Sequence, residues 1–250
     1  MGRGPEPCDL SFVFPAWNEE ATIGRTVGSA LEVGAWSVEL GEISSFEVIV
    51  VDDASTDTTA EIVEDLADRC PQVRLYRHST NRKLGATLRT GFSHAEGALV
   101  LYTDADLPFD LFETPRILRL MRVYDADIVS AYRYDRTGEG SRRYVYSRAY
   151  NLLVRAALGL HVRDVNFAAK LIRSEVLDAI ELRSEGSFID AELLARAQRH
   201  GFRIIQVGLD YFPRARGIST LSTPGVIAKM LREMRQLRAE IRSTAGRRSP

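Results

Sequence analysis

Residues 98–106 read Ala-Leu-Val-Leu-Tyr-Thr-Asp-Ala-Asp. A short apolar run delivers two carboxylates, Asp104 and Asp106, to the point where a buried strand leaves its sheet. Neighbouring carboxylates repel, and desolvating either costs several kcal/mol unless a cation answers them. A hard divalent ion does so through oxygen ligands and keeps positions open for water and phosphate. The pattern therefore points to Mg²⁺ or Mn²⁺ together with a diphosphate. Asp-x-Asp also caps helices, so its weight depends on what stands beside it.

The elements around it are legible. Apolar runs predict strands at 10–14, 46–51, 73–76, 98–103 and 127–131. Helical spacing predicts helices at 22–33, 57–69, 84–95 and 111–123, with Asp57 or Thr58 as the cap of the second. Strands alternating with helices at this spacing mean a mainly parallel sheet covered on both faces, the α/β, Rossmann-like class. Ligands bind such sheets at the carboxyl ends of the strands. Residues 15–20, 52–57 and 104–106 all fall there, which places three acidic clusters on one rim. The second half is less regular. Helices are expected at 146–158, 174–180 and 189–200, strands at 167–172 and 203–207, and a long helix at 224–242.

Bulk composition narrows the classes. The chain has 250 residues, a net charge of −1 and 45% hydrophobic residues, which suits one α/β domain with an extension. No whole-molecule attraction to nucleic acid follows from that charge. Two cysteines, Cys8 and Cys70, suggest no disulfide framework and a reducing, cytoplasmic setting. No apolar run approaches the roughly 18–20 residues of a membrane span, and the first nine residues lack a signal-peptide core. The charge is uneven: from Phe212 onward nine basic residues stand against Glu233 and Glu240, so an anionic partner is expected for the tail. In the last helix Ile227, Met230, Leu231, Met234, Leu237 and Ile241 make an apolar stripe. Lys229, Arg232, Arg235, Arg238 and Arg242 make the other face. Such a helix can lie on a bilayer surface at the inner face of the cell membrane, or cover its own domain or a second subunit. The expected organisation is a tail at 1–9, a catalytic unit at 10–222, the basic amphipathic helix at 223–243 and a tail at 244–250.

Together these motifs resemble the GT-A fold inverting glycosyltransferases of the family 2 type. Residues 14–20 (Phe-Pro-Ala-Trp-Asn-Glu-Glu) resemble their Pro-x-Tyr-Asn-Glu opening, with Trp17 for the usual Tyr. Residues 50–59 resemble the Val-Asp-Asp-x-Ser-x-Asp-x-Thr segment, residues 81–91 the Gly-rich stretch, and 104–106 the Asp-x-Asp. Within the group the chain is most similar to polyprenyl (dolichyl) phosphate mannose or glucose synthases, through Arg133, Arg143, Ser147 and residues 214–221.

The resemblance implies a nucleoside diphosphate sugar donor held by Pro15, Trp17, Glu19, Val51, Asp53, Lys83 and Ala105, with the ion on Asp104 and Asp106. It implies a phosphate acceptor, already anionic, positioned by Arg133, Arg143, Ser147, Arg214 and Arg216. Two positions depart from the synthases: Pro108 stands where a Gln is usual and Thr220 where a Lys is usual. Asp110 is the nearest acid to the first of these. Asp190, in a segment set near the acceptor in many relatives, is the candidate base if the acceptor is a neutral hydroxyl; otherwise it caps the following helix. Trp17 is either a surface for the base or a core aromatic. A non-catalytic nucleotide-sugar binding module is the remaining reading. The four histidines form no spaced cluster and read as surface or core residues.

Overall fold

The computed structural model describes residues 9–134, 141–212 and 224–243. Seven strands form one sheet: β1 (Leu10–Ala16), β2 (Phe46–Asp52), β3 (Val73–Arg77), β4 (Leu99–Thr103), β5 (Ile128–Arg133), β6 (Ala169–Arg173) and β7 (Ile204–Leu209). Their order is β3-β2-β1-β4-β6-β5-β7. All run parallel except β6, which is antiparallel to both β4 and β5. The mainly parallel sheet is thus borne out, with one reversed strand, β6, next to the central β4.

The continuous apolar runs make sense in this setting, because the inner strands are buried on both faces, while the edge strands β3 and β7 are only partly covered. Phe12, Phe14, Val48, Val50 and Leu101 enter one core. Val13, Ile49, Val51, Val100 and Tyr102 alternate with them into the other. Each such side chain contributes about 1.5–3 kcal/mol by leaving water. The first core is closed by α1 (Ile23–Glu39), α2 (Thr59–Ala67) and α4 (Thr114–Val123). The second is closed by α3 (Leu84–His94), α5 (Ser141–Leu158), α6 (Ser174–Ala179), α7 (Ile189–Arg199) and α8 (Pro224–Ser243). Helix α5 starts earlier than its spacing suggests, at Ser141 rather than Tyr146.

The apolar stripe of α8 is turned inward. Met230, Met234 and Ile241 are buried, and Leu231 and Leu237 pack against the second core. Arg196 and Arg183 hold its Glu240 at 2.8 and 3.0 Å. The described part of this helix covers its own domain, so its apolar face is not offered to a bilayer. Its Arg232, Arg235 and Arg238 are exposed. Among the described residues, no helix is long and apolar enough to cross a membrane.

Candidate active site

The carboxyl ends of β1, β2, β4 and β5 share one rim. Its loops are strained: Asn18, Ala54, Lys83 and Leu107 have φ of 56°, 60°, 71° and 51°. Non-glycine residues in the left-handed region cost about 1–3 kcal/mol each and cluster at functional sites.

The motif residues of the first two loops lace those loops together. Asn18 N donates to Ser55 Oγ at 2.9 Å, and Thr56 N donates back to Asn18 Oδ1 at 2.8 Å. Glu19 N donates to Thr59 Oγ1 and Thr58 Oγ1 to Glu20 Oε2. The Asp57 carboxylate accepts from Thr59 N at 3.0 Å and closes the first turn of α2, while Thr58, the N-cap residue, makes no capping bond. Trp17 is 50% exposed, which removes the core alternative and leaves an aromatic surface on the rim. Pro15 is half-buried and pairs in register with Val51. The Val51 side chain is buried in the second core, so only its backbone is available to a ligand. Glu19 Oε2 accepts from Thr22 Oγ1 at 3.0 Å at the start of α1.

Asp53 is not directed at open solvent. It is 4% exposed. Its Oδ1 accepts from His78 Nδ1 at 2.7 Å and from Arg82 N at 2.8 Å, and its Oδ2 from Lys83 N at 2.8 Å. His78 Nε2 lies 2.9 Å from Thr90 Oγ1. Asp53 therefore fixes the turn that opens α3, while the Lys83 side chain is exposed. Gly85 in that first turn is a close-approach glycine: a Cβ there would collide with the Ser184 carbonyl, and its N–H donates to Glu185 O at 2.7 Å. Asp53→Ala leaves three donors without their acceptor. The expected loss is about 1–3 kcal/mol, read as a melting temperature lower by about 2–4 °C per kcal/mol. An unchanged melt would refute this role.

At the end of β4, Asp104 and Asp106 are half-exposed and Ala105 between them is buried. Thr26 Oγ1 donates to Ala105 O at 2.6 Å, and Leu107 N to Asp104 O at 3.2 Å. Ala105 thus serves as the inward pin of the turn that carries both acids. Two carboxylates on one tight turn form a hard-oxygen donor set that fits a divalent ion. No group of three or more His, Cys, Asp or Glu able to hold a metal occurs among the described residues. Asp110 caps a short 3-10 turn, its Oδ1 accepting from Phe112 N at 3.0 Å.

Behind Asp104 lies a polar cluster that the motif reading missed. Lys170 of β6 is fully buried. Its Nζ donates to Asp190 Oδ1 at 2.6 Å, to Phe167 O at 2.8 Å and to Tyr102 OH at 3.0 Å. Tyr102 OH also donates to Asp190. Burial draws the Lys170 ammonium down to about 7, against the pull of the Asp164 and Asp104 carboxylates. Burial pushes the Asp190 carboxyl well up. The helix cap proposed for Asp190 is not formed: Phe188 is the N-cap of α7, and Asp190 sits in its first turn at 3% exposure. One signal for Lys170 was present in the sequence. It is the single charge inside the apolar run 167–172, in a chain with only three lysines.

Arg133 reaches the rim at the end of β5, yet its Nε donates to Asp164 Oδ2 at 2.8 Å and its side chain is 7% exposed. Its guanidinium lies 5.5 Å from the Phe167 ring and 5.1 Å from the Tyr211 ring. Ser147 is half-buried on α5. The Arg143 side chain, Arg214 and Arg216 lie outside the described residues.

The sequence profile of glycosyl transferase family 2 matches residues 11–181. The chain belongs to this family. Glycosyltransferase AglD of Haloferax volcanii is 34% identical over 211 residues, which cover 82% of this chain and 33% of AglD. An undecaprenyl-phosphate 4-deoxy-4-formamido-L-arabinose transferase of Pseudomonas aeruginosa is 32% identical over 194 residues, 74% of this chain and 53% of that one. The chain thus spans a third to about half the length of these family relatives. In three dimensions it is similar to glucosyl-3-phosphoglycerate synthase of Mycobacterium tuberculosis in complex with Mn²⁺ and UDP-glucose. The TM-score is 0.68 at 23% identity, over 91% of this chain and 79% of that one. The fold is therefore GT-A, as the family resemblance implied.

Proposed function

We propose that the protein moves a hexose from a nucleoside diphosphate sugar, of the GDP-mannose or UDP-glucose type, to a polyprenyl phosphate, with inversion. The observation that carries this reading is the contrast at the rim. Asp104 and Asp106 stand half-exposed on one turn, while Asp190, the one candidate base, is sealed behind them against Lys170 and Tyr102. A hydroxyl acceptor needs a base within hydrogen-bond reach. A phosphate acceptor is already ionised and needs only positioning. The name of the pseudomonad relative, an undecaprenyl-phosphate sugar transferase, is consistent with lipid-linked chemistry.

In this reading an acceptor phosphate oxygen attacks the anomeric carbon from the face opposite the diphosphate. The bond from that carbon to the diphosphate oxygen breaks, and its electron pair leaves with the nucleoside diphosphate. An α-linked donor gives a β-linked product. Asp104 and Asp106 would hold Mg²⁺ or Mn²⁺, which when bound neutralises charge on the departing diphosphate. Trp17 offers its exposed face beside the base, and Pro15, Glu19, Asp53, Lys83 and the Val51 backbone shape that pocket. Ser147 with Arg133, Arg143, Arg214 and Arg216 forms the acceptor side. The work site is the cytoplasmic face of a membrane.

A transfer screen with Mn²⁺ or Mg²⁺, a panel of GDP- and UDP-sugars and a short polyprenyl phosphate tests this. The expected result is lipid-linked sugar from one donor. Donor binding or slow hydrolysis without lipid product would overturn the phosphate acceptor and favour a hydroxyl.

A further inference from the structure

Resting on the donor reading above, we propose that residues 183–186 form a strap that sets the donor-binding turn at 82–86, and that Glu192 of α7 is the positioning residue that holds the strap. The turn is not self-supporting. Lys83 has a φ of 71°, a backbone state that persists only where the surroundings impose it. Lys83 is also the N-cap residue of α3 and makes no side-chain cap. The N–H that a cap would satisfy, that of Gly85, donates instead to Glu185 O at 2.7 Å. Arg89, one turn further along α3, donates from Nη1 to Ser184 O. Gly85 leaves no room for a side chain between turn and strap, so the two backbones touch directly. On its other side the turn is held by Asp53, through Arg82 N and Lys83 N.

The strap lies outside any helix or strand, and its geometry comes from one buried carboxylate. Glu192 is fully buried. It accepts from Arg183 N at 3.1 and 3.0 Å, from Ser184 N at 2.7 Å and from Arg196 Nε at 2.8 Å. A carboxylate held by that many donors is pinned, and it pins the backbone that supplies them. Asp190, one residue removed along α7, is given to Lys170 and Tyr102, so the two acids of this segment serve different neighbours. Helix α8 closes the arrangement from outside. Its Glu233 accepts from Gly186 N at 3.3 Å. Its Glu240, about two turns on and along the same face, accepts from Arg196 Nη2 at 2.8 Å and from Arg183 Nη1 at 3.0 Å. A continuous run of bonds therefore leads from α8 through the strap to the first turn of α3 and on to Asp53.

Hydrogen exchange and donor binding on the full chain test this. Glu192→Gln keeps the shape of the side chain, removes the charge facing Arg196 and puts an amide donor where an acceptor stood. The amides of 83–86 are expected to exchange about tenfold faster, and the Kd for UDP-glucose or GDP-mannose with Mn²⁺ to rise about tenfold. At saturating donor kcat should stay within about twofold, because donor binding is lost equally from ground state and transition state. Arg89→Met and Glu240→Gln, at partly exposed positions, keep the test open if Glu192→Gln does not fold. Each should move both readings the same way by about threefold, and Arg89→Lys, which keeps a donor for Ser184 O, should restore the parent values. Ile117→Ala, in the first core on α4, lowers the melting temperature without touching the strap and should leave the donor Kd unchanged. Unaltered exchange at 83–86 in the Glu192 and Arg89 variants would overturn the strap. So would a donor Kd that Ile117→Ala raises as much as they do. A parent chain that binds neither donor would refute the proposed function instead, and faster exchange in the variants would still support the strap.

Discussion

Asp104→Asn is expected to lower turnover by about 10³-fold or more at saturating donor, with the melting temperature close to that of the parent. The substitution keeps the shape of the side chain and removes its charge. Asp104 ends β4 on a turn pinned by Thr26 to Ala105 O, so the backbone has its own reasons to stay in place. On the proposed reading, what is lost is one of two anionic oxygen donors to a hard ion, and with it the charge that ion would place against a departing diphosphate. A single preorganised electrostatic contact of this kind is worth about 10²–10³ in rate, and a metal's share is larger. Excess Mn²⁺ should not restore the rate, because the defect lies in the donor set rather than in occupancy alone. Steady-state rates over a metal titration, beside a thermal melt, check this. Full turnover with metal present would remove Asp104 from the metal site.

The second large effect is on stability. Lys170→Met is expected to destabilise the fold by about 3–5 kcal/mol, because it removes one partner of a buried pair and strands Asp190 in an apolar core. For a chain of this size that is a fall in melting temperature of roughly 10 °C. Tyr102 OH still donates to Asp190, but one neutral donor does not replace an ammonium 2.6 Å away. Lys170→Arg should not rescue the loss. Its planar fork is larger than the point charge it replaces, and the slot has no exposed volume. Removing both partners together, as Lys170→Met with Asp190→Leu, should recover most of the stability, since apolar replacements of a buried pair are often neutral or better. A thermal or denaturant melt of the three variants decides it. Additive losses in the double variant would mean that the two side chains act separately.

Local pattern carried much of this molecule. The doubly buried strands announce themselves as unbroken apolar runs at 10–14 and 46–51, and the acids at their ends mark the rim. Strand direction was not legible. The run at 167–172 reads alike in either sense, and only pairing with Thr103 and Ile128 on its two sides shows β6 to be reversed. The stripe of α8 was visible, but periodicity reports that a face is apolar and not what it meets. The Asp190 position shows the same gap at a single residue. An acid at the start of a helix looks like a cap until a lysine from another strand is found beside it. Asp53 is the converse case: the motif marks the right place, while its oxygens are spent on the turn at 82–83.

The reversed strand also has a meaning for how the chain reaches its working form. β6 is the bridge between the half of the sheet that carries Trp17 and Asp104 and the half that carries Arg133. The contacts it makes are distant in sequence: Lys170 and Tyr102 are 68 residues apart. Pairings of that span close slowly, because the loop entropy is lost before any contact compensates it. The β1–β2 pair closes over a shorter span, Leu10 opposite Phe46, whereas β1 with β4, Leu10 opposite Leu99, and β4 with β6 are both long-range, so the joining of β4 and β6 to the sheet belongs late in folding. A growing or partly folded chain can therefore have its first two rim loops in order while Asp104 still lacks the lysine behind it. Completion of the rim then coincides with completion of the fold.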